Sequence, residues 1–226
     1  MNQDIVHVYF MPGMAANPTI FEHIKLPESQ FKVHWLKWLI PEENETLKAY
    51  AFRLTKEIKH KNVALIGVSF GGVIVQEMSK LITLRRLIII SSVKSYKEMP
   101  RRMMLMRVTK AYKLAPTSLV NNMDMLSKYA FGETLTHRVE LYKKYLSVTD
   151  TQYLDWAIKE MINWDQLEPI KDIIHIHGTN DSVFPYKYIK NCIKVENGTH
   201  VMVISKYRWF NAHLPKLILE GSSQSY

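Results

Sequence analysis

Ser69 lies in the run Gly67-Val68-Ser69-Phe70-Gly71-Gly72, with a glycine two positions to either side. A turn sharp enough to join a strand directly to a helix forces its central residue towards unfavourable φ/ψ values. The residues flanking it must then lack side chains, so that the chain can fold back without a clash. Such a turn lifts the Ser69 hydroxyl above a sheet and sets it at a helix N-terminus, whose dipole favours developing negative charge. A phosphate cradle is the competing use of a glycine-rich turn. Here no Gly-Lys-Ser/Thr follows, and Gly-x-Gly-x-x-Gly is not matched.

A serine hydroxyl is a poor nucleophile until a base takes its proton, so a histidine and an orienting acid are required. Asp181 ends the run His177-Gly178-Thr179-Asn180-Asp181, and His200 ends Asn197-Gly198-Thr199-His200. Each run follows an apolar segment that reads as a strand, so Ser69, Asp181 and His200 fall on successive carboxyl-end loops of one sheet. Among the nine histidines, His7, His175 and His177 read as packed strand residues. His34, His60, His137 and His213 read as surface groups, and His23 lies near the first loop. Asp150 and Asp155 are rival acids, but they lie in a helical stretch remote from these loops. A third element is a seat for an oxyanion. In Phe10-Met11-Pro12-Gly13-Met14 the glycine lets the chain turn, which makes the Met14 and Phe70 N–H groups the natural pair of donors.

The elements that must position these residues are legible from patterning. Ile5–Phe10, Phe31–Trp38, Val63–Gly67, Leu87–Ser91, Ile173–His177 and Cys192–Val195 read as strands. Adjacent apolar residues, as in Leu87–Ile90, imply burial on both faces and hence a parallel sheet covered by helices. Thr46–His60, Gly72–Ile82 and Tyr207–Leu219 read as helices. In the first, Leu47, Tyr50, Ala51, Leu54 and Ile58 form one stripe at helical spacing. The alternation predicts an α/β fold with right-handed crossovers. Between Ser92 and Ile170 the rhythm breaks into helical segments punctuated by Pro100, Pro116-Thr117-Ser118, Gly132 and Val148–Thr151, with no convincing strand.

Pro12-Gly13-Met14, the Ser69 turn, His177-Gly178-Thr179-Asn180-Asp181 and Gly198-Thr199-His200, in that order, resemble the α/β-hydrolase superfamily. The resemblance spans the chain apart from the helical stretch. It implies an acyl-enzyme mechanism in which Ser69 attacks a carbonyl, His200 shuttles the proton and Asp181 orients His200. Met14 and Phe70 would hold the oxyanion, and no metal or cofactor would be needed. Two departures matter. Pro12 stands where many members carry histidine, and the chain begins at what would be the third strand, without the leading antiparallel hairpin. The expectation is one domain, 1–226, with a doubly wound, mostly parallel sheet of about six strands and a helical cap insertion at 93–170. On such a scaffold, hydrolysis of a carboxylic ester or thioester is the first expectation. Acyl transfer, carbon–carbon lysis and non-catalytic ligand binding stay open.

Composition narrows the class. The 226 residues carry a formal charge of +9 with 47% hydrophobic residues, which excludes a disordered or collagen-like chain. A lone Cys192 excludes a disulfide framework and a cysteine-based zinc site. It suits a reducing compartment, so the cytoplasm is the expected location. No apolar run approaches the roughly 18 residues a bilayer span needs. The N-terminal MNQDIVHVYF reads as a strand, and the end of the chain as a polar tail. Lysines are scattered, and no nucleic-acid-binding signature is present.

Part of the charge has a place. If Pro100 starts a helix, Met104, Leu105, Val108, Ala111 and Tyr112 share one face. Arg102, Arg107, Lys110 and Lys113 share the other, together with Met103 and Met106. Met104, Arg102 and Arg107 are therefore the candidate substrate contacts, and an anionic ester or thioester is the partner that a basic cap face would suit. Tyr153, Trp156 and Trp164 read as packing residues. Eight glycines are about half of what average usage of about 7% supplies. Six of them fall in the four loops expected to build the site, which suggests backbone freedom concentrated there.

Overall fold

Residues 5–110 and 144–222 are described by the computed structural model. Among them, six strands form one sheet: β1 (Val6–Met11), β2 (Phe31–Trp35), β3 (Val63–Val68), β4 (Arg86–Ile90), β5 (Ile174–Gly178) and β6 (Ile193–Val195). Their order is β2-β1-β3-β4-β5-β6, and each neighbouring pair is parallel. The sheet is thus wholly parallel where mostly parallel was expected. All six residues of β3 are buried, as a central strand covered on both faces must be. The edge strand β2 buries only Phe31 fully.

Flanking the sheet are α1 (Leu47–Thr55), α2 (Phe70–Ser79), α3 (Arg101–Thr109), α4 (Thr151–Asn163), α5 (Met202–Ser205) and α6 (Tyr207–Glu220). Leu47, Tyr50, Ala51 and Leu54 form the buried face of α1, and Thr46 caps it by accepting from the Ala49 N–H. The stripe was expected to run on to His60. The helix stops at Thr55 because the chain turns there and brings the Lys59 N–H to the Tyr9 hydroxyl at 3.1 Å. Asp150, weighed above as a rival acid, is the N-cap of α4 and accepts from the Tyr153 N–H. Trp156 and Trp164 are buried, and their indole N–H groups donate to the Glu45 carbonyl and the Glu77 carboxylate at 2.7 and 2.8 Å.

Helix α3 starts after Pro100, as expected, but it presents a different face. Met103 and Met104 pack against the core, whereas Leu105 and Val108 are 64% and 78% exposed. The half-buried residues are Met103, Met104, Met106 and Arg107; Met103, Met106 and Arg107 stand at i, i+3 and i+4, and Met104 lies three before Arg107. Unbranched methionines and an arginine stem fill irregular space, while the guanidinium of Arg107 reaches out to the Trp164 carbonyl at 3.1 Å. Ala111, Tyr112, Lys113, the Pro116-Thr117-Ser118 turn, Gly132 and His137 lie outside the described residues.

The strand order reverses beside β1: the chain steps from β1 outward to β2, then returns to β3 on the other side of β1. Loops leaving the carboxyl ends of β1 and β3 therefore diverge from one crevice, where doubly wound sheets bind ligands. The glycines of these loops serve the fold by being small. Among the described glycines only Gly221 has a positive φ, so backbone freedom is not what they supply. A Cβ on Gly71 would stand 2.2 Å from the Pro12 carbonyl oxygen, and one on Gly178 would stand 2.2 Å from the Gly198 carbonyl oxygen.

Two stability outcomes follow from this interior. Gly178→Ala must push the β5 and β6 loops apart, and we expect a loss of about 1–3 kcal/mol in urea denaturation. His175 and His177 are fully buried on β5, and burial pushes both imidazoles below their ordinary value. Below about pH 6.5 the unfolded chain takes up protons that these folded imidazoles refuse, so stability falls with acid. Each histidine contributes a slope of up to about 1.4 kcal/mol per pH unit, which is absent at higher pH. A denaturation series from pH 7 to 5 should show this fall, and His175→Gln should flatten it.

Candidate active site

Ser69 closes β3 and opens α2 with φ 54 and ψ −122. For a residue bearing a side chain this is strained backbone, at a cost on the order of 1–3 kcal/mol. Surrounding contacts hold it there. The Ser69 N–H donates to the Ile90 carbonyl at 2.9 Å, at the end of β4. Its own carbonyl accepts from the Gly72 N–H at 2.9 Å and from the Ser92 hydroxyl at 2.7 Å. A Cβ on Gly67 would lie 2.3 Å from the Gly71 carbonyl oxygen, so the turn closes only on glycine. The hydroxyl is left at the helix mouth on a half-buried residue.

The three residues picked from the sequence meet there. His200 Nε2 lies 2.9 Å from Ser69 Oγ, and His200 Nδ1 lies 2.9 Å from Asp181 Oδ2. An ionised carboxylate only accepts, so Nδ1 carries the proton and Nε2 presents a lone pair to the serine hydroxyl. Asp181 Oδ1 accepts from the Val183 and Phe184 N–H groups at 2.8 and 2.9 Å. Asp181 is 4% exposed and His200 is 7% exposed. Burial by itself would raise the Asp181 carboxyl. The facing His200 imidazole with its hydrogen bond, then His177 and the Phe184 N–H, outweigh burial and hold it below the ordinary carboxylate value.

The loops that carry Asp181 and His200 are tied to each other. The Asn180 N–H donates to the Gly198 carbonyl at 2.9 Å, the Thr179 N–H to the Val195 carbonyl at 3.1 Å, and the Asn197 N–H to the Thr179 hydroxyl at 2.9 Å. Behind Asp181 stands a pair that the sequence marked only as packed. His177 Nε2–H donates to the Phe184 carbonyl at 2.9 Å, so its Nδ1 must accept, and His175 Nε2 supplies the proton at 3.2 Å. The same His177 Nε2 is 3.6 Å from Asp181 Oδ2. Both histidines therefore brace the acid's loop from below.

The loop after β1 passes directly beside the serine: a Cβ on Gly13 would be 3.3 Å from Ser69 Cβ. The Gly13 carbonyl accepts from the Trp38 indole at 2.9 Å and from the Ala16 N–H at 3.0 Å. In a trans peptide the N–H of the next residue points the opposite way, so these two bonds fix the direction of the Met14 N–H. Trp38 is in turn stacked on Phe70, with ring centroids 5.5 Å apart. One aromatic pair thus steadies both residues expected to offer oxyanion donors. Trp38 had been read as the end of a strand. The strand ends at Trp35, with the Leu36 N–H still bonded to the Phe10 carbonyl at 2.9 Å, and this frees Trp38 to turn inward.

The remaining candidates sit on α3. Arg102 Nη2 donates to the Ser182 and Val183 carbonyls at 2.9 and 2.8 Å, clamping the helix to the loop that follows Asp181. Arg107 lies over the Tyr96 ring, 5.3 Å from its centroid, besides its bond to Trp164. Met104 is half-buried against the core. His23, by contrast, is turned to the surface beside Glu22 and Tyr207. No helix among the described residues is long and apolar enough to cross a membrane.

No protein-family model and no curated protein sequence matches the chain. Solved structures do. A hydrolase from Oleispira antarctica aligns with a TM-score of 0.71 at 14% identity, covering 95% of this chain and 91% of that one. An esterase from Exiguobacterium antarcticum aligns at 0.70 and 15% identity, over 96% and 93% of the two chains. The RedJ thioesterase of the prodiginine biosynthetic pathway in Streptomyces coelicolor aligns at 0.62 and 13% identity, over 93% and 85%. What such likeness carries is architecture, and the six-stranded sheet with its flanking helices is the α/β-hydrolase fold.

Proposed function

We propose that the chain is a serine hydrolase that cleaves carboxylic esters or thioesters through an acyl-enzyme on Ser69. The observation that carries this is the unbroken hydrogen-bond chain Asp181–His200–Ser69 on a strained turn at the carboxyl end of the sheet. Ser69 Oγ attacks the substrate carbonyl carbon while His200 Nε2 takes its proton. Negative charge gathers on the carbonyl oxygen, which the Met14 and Phe70 N–H groups stabilise by hydrogen bonding. Asp181 holds the imidazolium that forms and keeps its ring oriented. His200 then hands the proton to the departing alkoxide or thiolate, and water releases the acid by the same route in reverse. The scheme calls for no metal or cofactor.

In this proposal residues 93–170 are a cap insertion within a single domain, of which α3 is the basic, methionine-rich wall and residues 111–143 lie outside those described. Met104 offers an adaptable apolar surface to the acyl group. Arg102 and Arg107 share α3 with Met104, and their cationic side chains are the groups that would draw in an anionic substrate.

A fluorophosphonate should add to Ser69 in the intact protein, and p-nitrophenyl acetate should be turned over. Ser69→Ala and His200→Ala should each lower kcat about 10⁶-fold, and Asp181→Asn about 10⁴-fold. A near-normal rate for His200→Ala would show that another base is at work. For the basic wall, hydrolysis of anionic and neutral esters of equal acyl length is to be followed across a salt series. The anionic ester should lose rate with salt and the neutral one should not; equal dependence would remove Arg102 and Arg107 from substrate recruitment.

A further inference from the structure

His7, His34 and His60 come from three separate places in the chain, and the fold gathers them into one cluster. His7 stands near the start of β1, His34 on β2 beside Tyr9 in the strand register, and His60 on the turn before β3. One imidazole nitrogen from each lies within 4.8 Å of the other two. His7 Nδ1 and His34 Nε2 are 2.9 Å apart, and the His7 and His60 rings stack with centroids 3.5 Å apart. Tyr9 holds the third ring in place, its hydroxyl 2.6 Å from His60 Nδ1 while it accepts from the Lys59 N–H.

We propose that His7, His34 and His60 form a binding site for a zinc-class divalent transition-metal ion, independent of the active site. Three imidazoles with a ring nitrogen of each within 4.8 Å of the others are the donor set that zinc, copper and nickel prefer. Lys32 pairs with His7 in the strand register and is the next residue but one to His34. Lys32 nearby means that the ion is held by coordination and not by a negative field. Hard ions such as magnesium, which need oxygen ligands, are excluded on the same ground.

Zinc–nitrogen bonds of about 2.0–2.1 Å place tetrahedral ligand atoms about 3.3 Å apart. The cluster closes to that size when the stacked His7 and His60 rings tilt and the proton between His7 Nδ1 and His34 Nε2 moves to the other nitrogen of the ring that carries it, freeing both facing nitrogens to ligate. His7 and His34 are half-buried and His60 is exposed, so this movement needs no core repacking and the fourth position faces water. Tyr9 takes the outer role common beside ligating histidines, in which the ring N–H away from the metal finds an oxygen acceptor. His7 lies four residues before Met11, about 13 Å along β1 from the loop beside Ser69. A bound ion would pin β1, β2 and the turn into β3 together without entering the crevice.

The test uses untagged protein stripped with a chelator and titrated with zinc chloride by calorimetry. One zinc per chain is expected, with a raised thermal midpoint, and magnesium should give no heat. His34→Gln/His60→Gln should weaken binding by at least about a hundredfold, and Tyr9→Phe by about tenfold. Circular dichroism confirms that each variant folds, and His60→Gln alone, on an exposed turn, keeps the test open if the double variant does not. Two results would overturn the proposal. One is wild-type affinity weaker than about 100 μM; the other is unchanged zinc affinity in the histidine variants, which would put the metal elsewhere, as at His200.

Discussion

The site depends on holding Ser69 at φ 54 and ψ −122, a backbone conformation that its side chain disfavours. That strain persists only because neighbours leave the turn no alternative. Ile90 and Ser92 grip its N–H and carbonyl from the end of β4, and Gly67 meets Gly71 where no side chain fits. Gly71 also runs against the Pro12 carbonyl. The turn and the loop after β1 are therefore one packed unit: whatever places the serine places the Gly13–Met14 peptide beside it. This is why a helix beginning directly after a buried parallel strand can hold a serine hydroxyl beside the loop of the neighbouring strand.

Asp181 and His200 are positioned by a different device. Their loops are not strained together but hydrogen-bonded together, with Gly178 and Gly198 in contact and Asn180 and Thr179 bonding across. Asp181 spends one oxygen on backbone N–H groups and the other on His200. A carboxylate so fully engaged stays ionised despite its burial, because a proton would displace bonds that only the charged form accepts fully. Below it, the fixed tautomers of His175 and His177 give a neutral support with directional hydrogen bonds. Arg102 adds a clamp from α3 to the Ser182 and Val183 carbonyls, so the helix that overhangs the loop also secures it.

Much of this was legible because short-range rules govern it. Six apolar runs predict six strands to within a few residues, and the glycine spacing around Ser69 predicts the turn. Asp181 and His200 follow from their position after strands. What sequence spacing could not show are contacts made by register. Trp38 reads as strand until the edge strand is seen to end at Trp35, and only then does its indole reach Gly13. Hydrophobicity assigns Leu105 and Val108 to the inward face of α3 along with Met104, but only Met104 lies there, and the irregular space takes Met103 and the stem of Arg107 instead. The glycines were correctly located but for the wrong reason. The left-handed backbone in these loops belongs to Ala15, Ser69 and Asn197, while the glycines provide room.

His7, His34 and His60 show the same limit from the other side. Each alone is an ordinary histidine on a strand or a turn, and no spacing rule links positions 7, 34 and 60. Parallel pairing brings β1 and β2 together in one register, and the early end of α1 drops His60 on top of them. A single ion among the three rings would take one nitrogen from each, which is more than the pairwise hydrogen bonds of this cluster can engage. A surface group tolerates such crowding when something answers it. Tyr9 answers it for His60 through a single hydrogen bond, while His7 and His60 meet only face to face, as stacked rings. Coordination is the interaction that turns three electron-rich nitrogens from a crowded arrangement into a favourable one.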